Sequence, residues 1–367
     1  MPFIQRSLLV ALITSLSLAQ ALADDRAKLS ERVERLALPM IKEGHCVGLA
    51  IGLIIGDEEY VYGFGEVARE CGQVPNDETI FEIGSITKVY TGLLLADMVV
   101  RKEVRLDEPV RDLLPESVAV PKSGERQIRL LDLVTHTSGL PRLPNNMPFG
   151  DPENPYADYT VKALEEFLSS HELRRRPGDR LEYSNLGFGL LGHALALRAG
   201  VTYEQLVQDR INIPLGMTQT SLTITDEQAA RFAQGYNGAG SVIPHWDIPT
   251  FAGAGGLRST VQDQLRFLKA NLRPGETPIA EAIRASHVER FHGEGGRIAS
   301  GWLFSEDGRD LWHNGETGGF HSYASFRKDG EIAVVVLSNS ASFTVDRLGV
   351  ELMRLLTEES GEDQDQS

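Results

Sequence analysis

Cysteine is nearly missing from this sequence: Cys46 and Cys71 are the two examples in 367 residues. So few cannot build a disulfide-dense scaffold, and neither sits in a Cys-x-x-Cys or metal-type spacing. Positive charge is also short. Thirty-six Lys and Arg face 52 Asp and Glu, for a formal net charge of −16. That balance argues against nucleic acid or an anionic membrane as partner, since both call for basic patches. The N-terminal apolar run, Leu8 to Leu18, is too short to span a bilayer, so no stable membrane insertion is expected. Internal repeats and low-complexity linkers are absent as well.

What is present is ordinary for a soluble globular protein: 41% apolar and 24% charged residues, in a length that fills one large domain or two intimately packed ones. Residues 1–23 stand apart. Arg6 is their only charge, and Ala21-Leu22-Ala23 matches a small-x-small cleavage site. The segment reads as a secretory signal cut after Ala23, which implies a periplasmic or secreted protein. Losing Arg6 would take the mature charge from −16 to −17. No cysteine lies near the cut, which argues against a lipid anchor. Export permits a disulfide. A hairpin turning at Gly56-Asp57-Glu58 would bring Cys46 and Cys71 near each other, and two free buried thiols are the alternative.

Periodicity places an amphipathic helix at 25–43, with Leu29, Val33, Leu36 and Met40 on one stripe. The 47–64 hairpin follows. Residues 86–101 form a helix that is apolar nearly all round and therefore buried. The turn 135–141 contains His136, read as a hydrogen-bonded structural histidine. Residues 141–155 hold five prolines and read as a long surface loop over a cleft. Helices follow at 160–170, 187–199 and 203–211, and Arg174-Arg175-Arg176 reads as a solvated face. Gly253–Leu257 reads as a plain approach to a helix that opens with a capping box at Ser259–Gln262. Strands at 298–304, 309–313, 319–327 and 331–337 come next, the last two joined at Lys328-Asp329-Gly330. A closing helix at 344–356 leads to an acidic segment, 358–367, read as a disordered tail. Strands at both ends with helices between predict an α+β fold. An antiparallel sheet, about 24–80 and 255–357, is flanked by helices, with a helical insertion at about 81–254.

Ser85 and Lys88 stand three residues apart at the start of the buried helix, so they share one face. A serine hydroxyl is a poor nucleophile until a base takes its proton, and a desolvated lysine can be that base. The plain alternative is an N-cap serine and a surface lysine. Two further stretches extend the catalytic reading. In Glu182-Tyr183-Ser184-Asn185, Tyr183 can share proton transfer and Asn185 can hold a substrate amide. In Trp312–Phe320 the glycines allow a ligand close to the backbone.

Together these stretches resemble the penicillin-recognising serine hydrolases: class C β-lactamases, D-alanyl-D-alanine carboxypeptidases and β-lactamase-fold esterases. Ser85-Ile-Thr-Lys88 matches the family's Ser-x-x-Lys, Tyr183-Ser-Asn185 its Tyr-x-Asn, and His313-Asn314-Gly315 its Lys-Thr-Gly or His-x-Gly. The resemblance spans roughly 26–357 and implies the β-lactamase/DD-peptidase fold. It implies an acyl-enzyme on Ser85, with Lys88 and Tyr183 moving the proton. Substrate would be held by Asn185, His313, Asn314 and Gly315, and the amides of Ser85 and Glu316 would form the oxyanion hole. The expected substrate is a β-lactam, or else a peptidoglycan peptide or an ester. A penicillin-binding sensor is the reading outside enzymes, and a monomer is expected. No cofactor is required. Zinc on His313, Glu316 and His321 is the one metal option, disfavoured because alternation sets Glu316 opposite both histidines. His313 replaces a lysine of the class C enzymes, and is expected to bind a substrate carboxylate best as imidazolium.

Overall fold

The computed structural model describes residues 24–148, 150–327, 329 and 332–362. The secretory-signal reading of 1–23 and part of the turn at 328–330 lie outside the described residues. Helix α1 covers 24–42. Strands β1 (Gly48–Ile55) and β2 (Glu58–Gly65) form the expected hairpin. The other sheet strands come from the far end of the chain. They are β3 (Phe291–Gly293), β4 (Gly296–Ile298), β5 (Leu303–Phe304), β6 (Asp310–Glu316), β7 (His321–Arg327) and β8 (Ile332–Ser338). Among the described residues these eight make one antiparallel sheet, ordered β2-β1-β8-β7-β6-β5-β4-β3. The α+β expectation therefore holds.

Both faces of the central strands are covered, which is why β1 and β8 read as continuous apolar runs rather than alternating ones. Leu49, Ile51 and Leu53 of β1, with Ile332, Val334 and Val336 of β8, pack under α1 and α5 (Thr344–Glu362). Ala50 and Ile54, with Ala333, Val335 and Leu337, join the second core. That core also holds α2 (Thr87–Val100), α3 (Asn185–Ala199) and α4 (Val261–Leu272). Its main helix, α2, is buried along nearly its whole length, as its unbroken apolar character requires.

Three expectations are corrected. The strand expected at 298–304 is two, because the chain turns at Ala299–Trp302, with Gly301 at φ 87°. The acidic segment expected to be disordered from 358 continues α5 to Glu362, and 363–367 lie outside the described residues. Cys46 and Cys71 do not pair: Cys46 is buried and Cys71 exposed. Beyond β2 the chain turns away, fastened where the Glu66 carboxylate accepts the amides of Glu70 and Gly72. Among the described residues no helix is long and apolar enough to cross a membrane.

Candidate active site

Ser85 lies in a 3-10 turn, Gly84–Ile86, that leads directly into α2. It is not a cap: neither the turn nor the helix has a side-chain capping bond. Gly84 adopts φ 47°, and a Cβ there would meet the Glu316 amide nitrogen at 2.6 Å. A Cβ on Gly315 would meet the Ser85 amide nitrogen at 2.8 Å. Two glycines thus let the end of β6 close against the start of α2, so the amides of Ser85 and Glu316 come together.

Lys88 follows one turn later and is fully buried. Its Nζ lies 2.8 Å from Ser85 Oγ, 2.9 Å from Asn185 Oδ1 and 2.6 Å from the Ala254 carbonyl. The two oxygens of Asn185 and Ala254 can only accept. A neutral amine has two N–H groups and one lone pair. It can donate to both acceptors and receive the Ser85 O–H on the lone pair. Burial, and secondarily the Arg142 charge, hold the Lys88 amine well below its ordinary range, which favours that neutral form.

Tyr183 joins from the turn before α3. Its phenol shares a hydrogen bond with Ser85, and burial raises its pKa, so it stays a phenol. The ring lies 4.7 Å from Lys88 Nζ, 4.4 Å from the His136 ring and 5.1 Å from the Arg142 guanidinium. His136 is structural, as read: its Nδ1 accepts the Ser184 amide at 3.0 Å. Ser184 caps α3 by accepting the Gly187 amide and donates its own hydroxyl to Pro141. These bonds tie Tyr183 and Asn185 to the 136–142 turn. Arg175 pairs with Glu182 beneath them, so one of the three arginines is support rather than solvated surface.

The third stretch departs from expectation. His313 is fully buried, 6.2 Å from the Tyr183 ring, with Nδ1 bonded to the Asn314 carbonyl. Burial, with Lys88 nearby, pushes its pKa down to about 3. The expected imidazolium is therefore a neutral imidazole, with Nε2 lacking a partner among the described residues. Asn314 is also corrected as a substrate contact, since its amide donates to Asp346 on the opposite sheet face at 2.8 Å. Alternation was misread for His321. The chain reverses after Glu316, so Glu316 and His321 are directly paired across β6 and β7 and share a face. His313 lies on the other face, so the three residues proposed for zinc do not converge. Among the described residues no group of three or more His, Cys, Asp or Glu side chains is arranged to hold a metal.

A cleft opens at Ser85, lined also by Asn185, Tyr156, Trp246, Phe251 and Glu316. Sequence reasoning missed Tyr156, Trp246, Arg142 and the Ala254 carbonyl. The dense glycines of 253–256 were the one available signal for Ala254. A Cβ on Gly253 would meet Gly192 Cα at 3.0 Å and Thr91 Oγ1 at 3.1 Å, so that segment must pass close to α2 and α3. Trp246 is held by its amide, which donates to the buried Glu82 carboxylate at 2.7 Å.

Comparison with known proteins follows this geometry. A family profile described as Beta-lactamase matches residues 26–357. The D-alanyl-D-alanine-carboxypeptidase/endopeptidase AmpH of Escherichia coli K12 is 28% identical over 373 residues, covering 96% of this chain and 95% of its own. A Beta-lactamase of the same organism is 26% identical, covering 85% and 89%. A crystal structure of a Beta-lactamase/D-alanine Carboxypeptidase from Yersinia pestis superposes with a TM-score of 0.80 at 28% identity, covering 90% of this chain and 99% of that one.

Proposed function

This chain belongs to the Beta-lactamase family and is a serine hydrolase of that type; from that premise we propose that it opens β-lactams through an acyl-enzyme on Ser85. The observation that carries this reading is the buried Lys88 amine, bonded to two obligate acceptors with Ser85 Oγ as its third neighbour. Ser85 Oγ attacks the carbonyl carbon as its proton passes to the Lys88 lone pair. The charge that develops on the carbonyl oxygen is met by the Ser85 and Glu316 amides. Losing one donor of such a hole costs roughly 3 kcal/mol of transition-state stabilisation. Tyr183, a phenol bonded to Ser85, can hand a proton to the departing nitrogen. Asn185 Nδ2, near Tyr156 at the cleft, is available to a substrate amide. Water then releases the acyl group, so every step uses protein groups and solvent.

The similarity to a D-alanyl-D-alanine-carboxypeptidase/endopeptidase over 96% of the chain favours a second reading, cleavage of D-alanyl-D-alanine peptides. The neutral, buried His313 supplies no fixed charge for the carboxylate that both substrate classes carry, so it does not separate them. The two readings share Ser85 and separate by substrate. The secretory-signal pattern of 1–23 supports action outside the cytoplasm, and export would yield a mature chain starting at Asp24, readable as an intact mass.

The decisive experiment is an intact-mass time course after adding a penicillin. A transient adduct in wild type, and none in Ser85→Ala, is the expected result. A permanent adduct would make the protein a penicillin-binding sensor instead. Undiminished turnover by Ser85→Ala would remove the basis of the proposal. A D-alanyl-D-alanine peptide in the same assay tests the second reading.

A further inference from the structure

The two amides of the oxyanion hole sit on unequal supports. The Ser85 amide belongs to the turn that opens α2, deep in the core. The Glu316 amide belongs to the last residue of β6, paired with the first residue of β7 just before the chain reverses. Element ends are where a fold frays first. A hole donor nevertheless has to stand within a narrow range of the developing oxyanion. The front of β6 is pressed on α2 through Gly84 and Gly315, and the question is what holds the strand end from behind.

Asn314 and Glu316 flank Gly315, so their side chains leave on the face of the sheet opposite Ser85, the face that α5 covers. There Glu316 Oε2 lies 3.1 Å from His321 Nδ1, and the other ring nitrogen of His321 lies 2.8 Å from Asp346 Oδ1. Asp346 Oδ2 accepts the Asn314 amide at 2.8 Å. Both side chains beside Gly315 therefore end on one residue in the first turn of α5, Asn314 directly and Glu316 through His321. The His321 side chain is fully buried between its two carboxylates. A carboxylate can only accept, so both ring nitrogens donate and the ring is an imidazolium. Docking of α5 does not call for this cluster, since Val345, Leu348, Leu352 and Leu356 already bury that helix against the sheet. Buried charge clusters also contribute little to stability compared with apolar packing. Placement of the strand end is what the cluster adds.

We propose that the Glu316 side chain, His321 and Asp346 are positioning residues of the oxyanion hole: they brace the end of β6 against α5 and so set where the Glu316 amide stands beside Ser85. The proposal deepens the hydrolase reading and rests on it. The brace depends on the charge of His321. Burial opposes that charge, but the bonds to Asp346 and then Glu316, with the charges of both, outweigh it and raise the pKa to about 9. The charged groups facing the ring are Glu316 from β6 and Asp346 from α5. Ser338 is its cross-strand neighbour on β8, and the Phe343 ring lies at 5.4 Å. Tyr323, two positions along β7 and on the same face, stays a phenol because burial raises its pKa. Above about pH 9 the ring keeps a single donor, one carboxylate loses its bond, and the brace opens.

The probes are two nitrophenyl esters alike except that one carries sulfur in place of the carbonyl oxygen. Sulfur is larger and a weaker acceptor, so a hole in register favours the oxygen ester and a displaced hole loses that preference. In Glu316→Ala and in Asp346→Ala the maximal acylation rate of the oxygen ester should fall about tenfold or more, with the half-saturating concentration within about twofold. The oxygen-to-sulfur rate ratio should fall with it, which a merely structural role would not cause. Glu316→Gln, whose amide oxygen can still accept from His321, should recover part of that ratio. With a penicillin, the wild-type rate should decline as pH passes about 9, and Asp346→Asn should move the decline to lower pH. The Glu316 side chain is 41% exposed, so Glu316→Ala should keep the fold, and its thermal midpoint verifies this. An unchanged oxygen-to-sulfur ratio in folded Glu316→Ala overturns the proposal and leaves the cluster as a staple between α5 and the sheet. A weaker half-saturation at unchanged maximal rate overturns it too, as does an unshifted pH profile in Asp346→Asn. Absence of Ser85-dependent turnover of either ester or of penicillin defeats the hydrolase reading itself.

Discussion

Lys88 and His313 show how one burial environment can set two charges to zero. Both are fully buried, and desolvation is the main cause of each lowered pKa. For lysine the consequence for stability has a definite sign. The unfolded chain holds the Lys88 proton up to about pH 10.4 and the folded chain releases it earlier, so between the two pKa values folding expels a proton. Stability contributed by this residue therefore rises with pH across that window. Lys88→Met should abolish turnover yet raise the thermal midpoint near pH 7, and the gap from wild type should close toward pH 10. Melting both proteins across that range checks it. A gap independent of pH would mean the folded lysine is charged. The histidines offer a parallel contrast. His313 and His321 are eight positions apart, yet one is pushed to about 3 and the other to about 9. NMR of the imidazoles should show neither titrating between pH 5 and 8. An inflection near 6.5 assigned to His313 would restore the imidazolium that the sequence suggested.

At the scale of elements, the contact that matters most for the site is α2 against the turn between β4 and β5. A Cβ on Gly92 would lie 2.0 Å from the Ser300 carbonyl oxygen, a backbone atom that cannot swing aside. Gly92→Ala should cost about 1–3 kcal/mol of stability through overpacking, despite the better helix propensity of alanine. Denaturant unfolding measures it. A neutral or stabilising result would show that the turn yields. This contact also marks where sequence reading reached its limit. Ser85, Lys88, Tyr183 and Asn185 were legible because short spacing on a helix and around a turn determines their mutual geometry. The β-strands were legible from apolar runs and turn residues. Tyr156, Trp246 and Ala254 reach the cleft only through packing against Ser85 from 71, 161 and 169 positions further along the chain, and no local period encodes that. The neutral state of His313 was hidden for a related reason: a histidine's charge depends on burial, and the strand pattern alone does not reveal how deep it lies. The split at 299–302 escaped notice because Gly301 was the single interruption of an otherwise strand-like run.

For the whole molecule, charge and topology each have a consequence. With a formal net charge of −16, an anionic substrate approaches against repulsion. Its kcat/KM should rise several-fold between roughly 10 and 200 mM salt as the Debye length falls from about 30 Å to below 10 Å, while a neutral substrate stays level. Parallel salt curves for the two would show that long-range charge does not steer entry. The topology acts during synthesis. Leu49 on β1 pairs with Ser338 on β8, and α1 meets α5 where Arg32 lies 3.8 Å from Glu358. The sheet is therefore closed by its two ends, with the whole helical part looped between. On a ribosome, the first hairpin emerges early and waits for nearly the entire remaining chain before its partner strand exists. Its edge is meanwhile open to aggregation, and folding is slow because the closing contact spans so much sequence. The nucleophile cannot be assembled piecemeal, since β6 closes over Ser85 only once synthesis has passed Glu316. Joining the two ends of the sheet with a short linker, and opening the chain elsewhere on the surface, would turn the slowest contact in the molecule into a local one.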